Sequence, residues 1–364
     1  MYDYLIVGSG LFGATFANLA KSAGKSCLIL EKRNHIGGNI YTENRDGINM
    51  HMYGPHTFHT SNKEIWDYVN KFATFNNFVN RPKVKYANKI YSFPINLFTL
   101  YQMWGVSTPE QARVKLDSVK VKINNPSNLE EWILSQVGEE LYQTFIYGYT
   151  KKQWGTDPRD LPTFIIKRLP IRLTYDDNYF NDCYQGIPIG GYTNLIKNMI
   201  LDIPIERDVD FNKDKDYWIS KAKYIVYTGA IDELFNYSNG TLGYRSLKFE
   251  HEKLDIEDYQ GNALVNYTEE HIPYTRIIEH KHFENVNVRS TIITKEMPDS
   301  WSIEKEKYYP INNDVNNKLY ETYNNLTKKE YPNMILGGRL ACYKYYDMHQ
   351  VIGQSMHKFF EQSH

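Results

Sequence analysis

Three cysteines stand in 364 residues, at positions 27, 183 and 342. So few, odd in number and widely spaced, they build no disulfide framework and predict a reducing compartment; Cys27, inside an apolar stretch, reads as core. Net charge is equally scarce. Forty-two Lys and Arg against 43 Asp and Glu leave −1, which gives no general attraction to nucleic acid or to an anionic membrane. No apolar run approaches the roughly 18 residues that a membrane-crossing helix needs. The start "MYDYLIVG" has neither a basic n-region nor a cleavage site, so no signal peptide is expected. His56 and His59 in "YGPHTFHT" lack the Cys/His partners of a zinc site, and no metal is expected. No catalytic triad or carboxylate dyad is legible. These absences predict a globular cytoplasmic protein without membrane insertion or nucleic acid.

Tyrosine is abundant, at 31 residues beside 17 Phe and 6 Trp. Much of that is core with a polar tip, and it also suits a cleft that meets a sugar by ring face and hydroxyl. The length exceeds one ordinary core, so two or three modules are expected.

Residues 4–7 form an apolar strand, 8–13 a turn, 11–23 a helix with Ala14, Ala17 and Ala20 at helical spacing, and 26–30 a second strand closed by Glu31. "SNKE" at 61–64 has capping-box form, ahead of Ile65, Val69 and Phe72 on one helical face. "VKYANKIYSF" at 84–93 predicts a hairpin turning at Ala87 and Asn88. "TPEQ" at 108–111 and "SNLE" at 127–130 open helices, the second running through Trp132 and Leu141 towards Tyr147. From about 205 to 297 the texture is β, in "AKYIVYTG", "YRSLKFE", "NALVNYT", "YTRIIEH" and "TIITKE". "MILGG" then gives a late strand, and a helix starts near Asp347.

"GSGLFG" is G-x-G-x-x-G between strand and helix. Gly8 permits the turn, Gly10 lets backbone approach a pyrophosphate, and Gly13 lets helix and strand pack. The helix N-terminus offers N–H groups and a positive dipole end, and Glu31 stands where a ribose hydroxyl would donate. "KRNHIGGN" after Glu31 resembles FAD-binding proteins of the glutathione-reductase type, with "LGGRL" at 336–340 as the late glycine-rich feature. No second G-x-G-x-x-G supports a tightly held nicotinamide. FAD is the cofactor expected.

Taken together, "MYDYLIVGSGLFG", "EKRNHIGGN", "YGPHTFHT", "GYTKKQWG", "IIKRLPIRLTYDDNYF", "YQGIPIGGYTNLI", "HIPYTRIIEHKHF" and "GGRLACYKYYDMHQ" resemble the bacterial UDP-galactopyranose mutases from the first residue to about 350. Pro55, Thr57, Ala230 and Cys342 are small departures. The resemblance implies a flavin-dependent isomerase interconverting UDP-galactopyranose and UDP-galactofuranose for cell-surface polysaccharide. In that family, N5 of reduced FAD attacks the anomeric carbon, UDP departs, the sugar ring opens and recloses, and no net redox occurs, and the resemblance implies the same here. It implies a homodimer and a transient reductant such as NAD(P)H.

Residue by residue, the resemblance places cofactor contacts at Gly8, Gly10, Leu11, Phe12 and Gly13, then at Glu31, Lys32, Arg33, Gly38 and Asn39. Thr228, Arg339, Tyr346, Asp347 and Met348 follow late in the chain. His56 lies at flavin and substrate, with His59 on the substrate side. Arg168 and Arg276 match the family's cations for the diphosphate. The polar, proline-broken stretch near 165–180 that carries Arg168 is expected to be a mobile lid, with Lys167, Arg172, Asp176 and Asp177 on its surface. Asn80, Tyr149, Thr150, Trp154, Tyr179, Asn266, Tyr309 and Tyr345 fit substrate contacts, and Phe145, four residues before Tyr149 on the same predicted helix, is expected to flank the uracil.

The fold class expected is α/β: a discontinuous Rossmann-type FAD-binding domain with a helical insertion domain and an antiparallel β-sheet layer. The FAD domain takes 1–80, 181–235 and 311–364. The mainly helical insertion takes 81–180 and the substrate layer 236–310. Rivals are the same chemistry on UDP-N-acetylgalactopyranose, an FAD-dependent oxidoreductase, and a flavin sensor without turnover.

Overall fold

A computed structural model describes residues 1–163 and 170–362. Its chain groups into two compact units, one of 1–77, 182–246 and 301–364, the other of 78–181 and 247–300. The helical middle and most of the β-rich stretch thus share the second unit. Among the described residues no helix is long and apolar enough to cross a membrane.

The first unit is built on a five-stranded parallel sheet. Strand β1 (Tyr2–Val7) is central, pairing with β2 (Cys27–Leu30) on one side and Ala222–Tyr227 on the other. Ile205–Glu206 extends the β2 side, and Met334–Leu336 extends the other. Taken in chain order the strands run 5-4-1-2-3, which is the dinucleotide-binding order read from its opposite edge. Leu5 and Ile6 are wholly buried, as covered parallel strands require. Helix α1 (Leu11–Ser22) packs on the C-terminal helix Met348–Gln362, where Phe16 meets Phe359 edge-on at 5.4 Å and Ser355 Oγ donates to the Phe12 carbonyl.

The second unit carries a sheet in which residues from 247 in the strand Tyr244–Leu254 are followed, side by side, by Thr291–Ser300, Arg276–Glu279, Leu264–Tyr267, Lys83–Tyr86 and Lys89–Ser92. The sheet is mixed rather than purely antiparallel, because Leu264–Tyr267 and Lys83–Tyr86 run parallel. Distant segments meeting there need not be hairpin partners. The hairpin turns at Ala87 and Asn88, both at positive φ, as a two-residue turn matching strand twist requires.

Helices Leu97–Trp104, Pro109–Val119 and Leu129–Leu141 enclose a core of Ile95, Leu100, Leu116, Ile133, Val137 and Phe145. Thr108 caps the second of them through the Gln111 N–H. The predicted helix from 127 to Tyr147 is not continuous. Gly138 breaks it at φ 78°, where a Cβ would stand 2.3 Å from the Val119 carbonyl oxygen. The chain resumes as a π-helical turn, Tyr142–Tyr147, and then the helix Gly148–Trp154. Two caps also shift by one residue. Asn62 and Asn128, not Ser61 and Ser127, accept the first-turn N–H bonds. Ser61 instead donates to Asp182 and Ser127 to Glu131.

Candidate active site

In the first unit the C-terminal edge of the parallel sheet opens into a cavity of about 590 Å³, within the range of cofactor pockets. It sits at the topological switch point, where order reverses between β1 and Ala222–Tyr227. Gly8 and Gly13 are steric necessities. Gly8 has φ +103°, and a Cβ there would stand 2.1 Å from Thr228 Oγ1. A Cβ on Gly13 would stand 2.0 Å from the Gly8 carbonyl oxygen. No side chain caps α1 at Gly10, so its first turn presents backbone N–H groups to the cavity edge.

Glu31 is buried and held over this loop. One carboxylate oxygen accepts from the Ser9 N–H at 2.9 Å and from the Ser9 hydroxyl, and the other accepts from the Arg33 N–H at 3.0 Å. A carboxylate oxygen has capacity for a further donor, such as a ribose hydroxyl. Of the residues expected to contact cofactor, Gly8, Gly10, Leu11, Phe12, Gly13, Glu31, Lys32, Arg33, Gly38, Asn39, His56, Thr228, Arg339, Tyr346 and Met348 line the cavity. Asp347 is not in the lining. The cleft also contains Asp210, Asn212, Glu233 and residues 303–307, for which the sequence carried no local signal. A glycine cradle that any Cβ would fill, a bare helix N-terminus and an acid closing β2 fit FAD.

His56 has a defined tautomer when neutral. Its Nδ1 lies 2.8 Å from the Gly54 carbonyl and must carry the proton, which leaves Nε2 as the acceptor. His59, buried on the strand Phe58–Thr60, pairs with Asp182 at 2.6 Å, and its ring meets His349 edge-on. Elsewhere in this unit Tyr309 and Tyr345 stack at 5.9 Å, with the Arg339 guanidinium 4.6 Å above the Tyr345 ring.

In the second unit Asn266, Arg276 and Glu296 stand directly opposite one another on three adjacent strands, so their side chains share a face. Arg276 Nε is 3.0 Å from Glu296 Oε1, and its guanidinium donates to the Tyr149 hydroxyl at 2.9 Å. Burial pushes the Glu296 carboxyl upward, opposed by the Arg276 charge. Helix Gly148–Trp154, which carries Tyr149, Thr150 and Trp154, is tied to the sheet by Lys152 Nζ, a donor to the Tyr267 and Tyr274 carbonyls. Burial lowers that ammonium to about 8. Asn80 accepts the Tyr179 N–H through its carbonyl. Phe145 is 2% exposed, packed between Tyr91 and Phe93 in the core.

Lys167 and Arg168 lie outside the described residues. Within the expected lid, Arg172 and Asp177 are anchors rather than lid surface. Arg172 N–H donates to the Ile95 carbonyl, its guanidinium to the Asn178 carbonyl and the Asn181 side chain, and Asp177 pairs with Arg81 and Lys83. One group of possible metal ligands, Asp258, Glu279 and His282, occurs in this unit. The Glu279 oxygens already accept from the N–H groups of Tyr259 and Gln260 and from the Thr291 hydroxyl, so the group braces the turn near 258–261.

A family model described as UDP-galactopyranose mutase matches residues 144–345, and one for an NAD(P)-binding Rossmann-like domain matches 6–72. The chain is 40% identical to a dTDP-fucopyranose mutase of Escherichia coli, over 98% of this chain and 97% of that one. It is 38% identical to a probable UDP-galactopyranose mutase of Klebsiella pneumoniae, over 97% and 93%. In structure it resembles a reduced UDP-galactopyranose mutase with a TM-score of 0.76 and 16% identity, covering 100% of this chain and 96% of that one, a likeness of fold. The family model spans more than half of the chain and the relatives nearly all of it, so this protein belongs to the UDP-galactopyranose mutase family.

Proposed function

We propose that this protein interconverts the pyranose and furanose forms of a nucleotide-linked hexose, UDP-galactose, with reduced FAD in the dinucleotide cleft and without net redox. The observation that carries the reading is Arg276, a fixed cation set between a buried carboxylate and a tyrosine hydroxyl within a chain of this family. When bound, reduced FAD supplies the nucleophile that displaces UDP from the anomeric carbon.

The protein's own task is then to hold the nucleotide, stabilise its charge on departure and keep it near for return. Arg276 is oriented before substrate arrives, so its guanidinium meets the diphosphate with little reorganisation. Arg168 is the proposed second cation. In this reading Tyr149, Asn266, Asn80 and Trp154 make the nucleotide-sugar contacts, and Tyr309 and Tyr345 the diphosphate contacts. His56, its Nδ1 2.8 Å from the Gly54 carbonyl, is held at the edge of the cofactor cavity. A homodimer and a transient NAD(P)H reductant belong to the same reading.

The 40% identity to a dTDP-fucopyranose mutase favours a second reading on the dTDP-linked 6-deoxysugar. Product analysis separates the two. Purified protein, oxidised or dithionite-reduced, is given UDP-galactofuranose, UDP-N-acetylgalactofuranose or dTDP-fucofuranose in turn. Conversion of the UDP-galactose pair only when reduced, with no reductant consumed per turnover, is the expected result. Faster conversion of the dTDP sugar moves the substrate assignment, and stoichiometric reductant use replaces the isomerase reading with an oxidoreductase.

A further inference from the structure

Before the short strand Tyr309–Pro310 the chain turns at 302–305, where the Lys305 N–H donates to the Ser302 carbonyl, and 303–307 line the same cavity as the glycine loop. The segment's carbonyls are held by the Trp301 indole N–H, which donates to Lys305 at 2.9 Å, and by the Ser246 hydroxyl, which donates to Glu306 at 2.8 Å; two ion pairs fasten its side chains. Glu306 meets Arg33, just beyond β2, at 2.8 Å. Lys307 pairs with Glu233 on the helix Ile231–Leu234, which follows Ala222–Tyr227. Those two strands flank β1 on either side. The anchors therefore stand on opposite sides of the strand whose C-terminal end carries the glycine loop.

The anchors differ in kind. The Lys307 side chain is 5% exposed, and its ammonium lies 4.8 Å from the Trp301 ring centre, 5.6 Å from Tyr244 and 5.7 Å from Tyr237. A buried ammonium is costly without compensation, and here a carboxylate and three ring faces supply it. The Glu306 side chain is 56% exposed, and a pair so solvated holds weakly. Arg33 itself is fixed, donating to Asn39 Oδ1 at 3.0 Å and lying 4.4 Å over the Tyr53 ring. Release of the Arg33 contact therefore falls to the Glu306 carboxylate, which swings away while the Ser246 hydroxyl keeps its bond to the Glu306 carbonyl.

We propose that residues 302–307 are a strap over the cofactor cleft, with Lys307–Glu233 as its fixed end and Arg33–Glu306 as the latch whose opening sets how fast the dinucleotide enters and leaves. The proposal rests on the reading of the cleft as an FAD site. Flavin release is followed by the growth of free-flavin fluorescence after dilution, and uptake by its quenching. Glu306→Gln should speed both release and uptake about fourfold while leaving Kd within about twofold, because a latch alters the barrier and not the bound contacts. Salt should accelerate release from the unaltered protein more than from the variant. Release and uptake both within about twofold of the unaltered protein would overturn the latch, as would faster release with unchanged uptake. Trypsin cleavage after Lys305 should slow when FAD is bound, and equal rates with and without FAD overturn the strap. A chain that takes up no FAD fails the cofactor reading instead. The cleavage is then run with ADP, and protection of Lys305 keeps the strap while its absence removes it.

Discussion

Arg276 and Glu296 are directly opposed on neighbouring antiparallel strands, with Nε and Oε1 3.0 Å apart and the carboxylate 1% exposed. Arg276→Ala leaves that carboxylate buried and unpaired and removes the donor proposed for the departing diphosphate. Truncating one partner of such a pair costs roughly 2–5 kcal/mol. Turnover should fall at least about a hundredfold, while flavin content stays unchanged because the cavity lies in the other unit. Steady-state kinetics with a flavin absorbance ratio check both, and near-normal kcat would remove Arg276 from the diphosphate role.

Glu296→Gln keeps the shape and removes the charge that orients the guanidinium. A positioning role predicts a lower kcat/KM, but a smaller loss than in Arg276→Ala. The double variant should lose little beyond Arg276→Ala alone, since the two changes touch one interaction. Additive losses in this cycle would mean that Glu296 acts independently.

Gly8→Ala introduces a Cβ at φ +103°, 2.1 Å from Thr228 Oγ1. Strain of this kind costs of order 1–3 kcal/mol. Its place is the turn that opens the cofactor cavity, so the purified variant should carry little flavin and melt earlier. Full flavin loading at an unchanged Tm would contradict the steric account.

Phe145→Ala should destabilise the protein by about 3–5 kcal/mol, the usual cost of removing a buried ring. Phe145 packs against Tyr91 and Phe93 at 2% exposure. Denaturant unfolding measures it. A variant of unchanged stability but raised KM would favour the direct uracil contact expected from its helical spacing to Tyr149.

The Glu279–His282 group gives a pH dependence with two edges. Burial pushes the Glu279 carboxyl up, but His282, Thr291 and the N–H groups of Tyr259 and Gln260 outweigh it and leave the group at about 2. Its contribution is therefore present above the ordinary value of 4.5 and is lost as pH falls towards 2. His282 is raised by its bond to Glu279 despite burial, so its contribution is complete below 6.5 and lost as pH rises through the raised value. Glu279→Gln should flatten both edges of a Tm-against-pH curve. Parallel curves for variant and unaltered protein would show that the group adds no pH-dependent stability.

Features lying within a few residues of their own signal could be read directly from the chain. The turn at 8–13 with its flanking strands and Glu31, the hairpin at Ala87 and Asn88, the Thr108 cap and the late strand–helix were all legible, because dihedral preference and hydrophobic period act locally. Within that range the cap at 61–64 was misplaced by one residue. Ser61 was drawn to Asp182, a partner 121 positions away. Tertiary structure alone decided that Glu296 faces Arg276, that Asp177 is anchored by Arg81 and Lys83, and that 303–307 enter the cofactor cavity. Strand register and paired charges from distant segments make those contacts. Neither is encoded in the neighbouring residues, and both exist only once the sheets have buried their apolar faces.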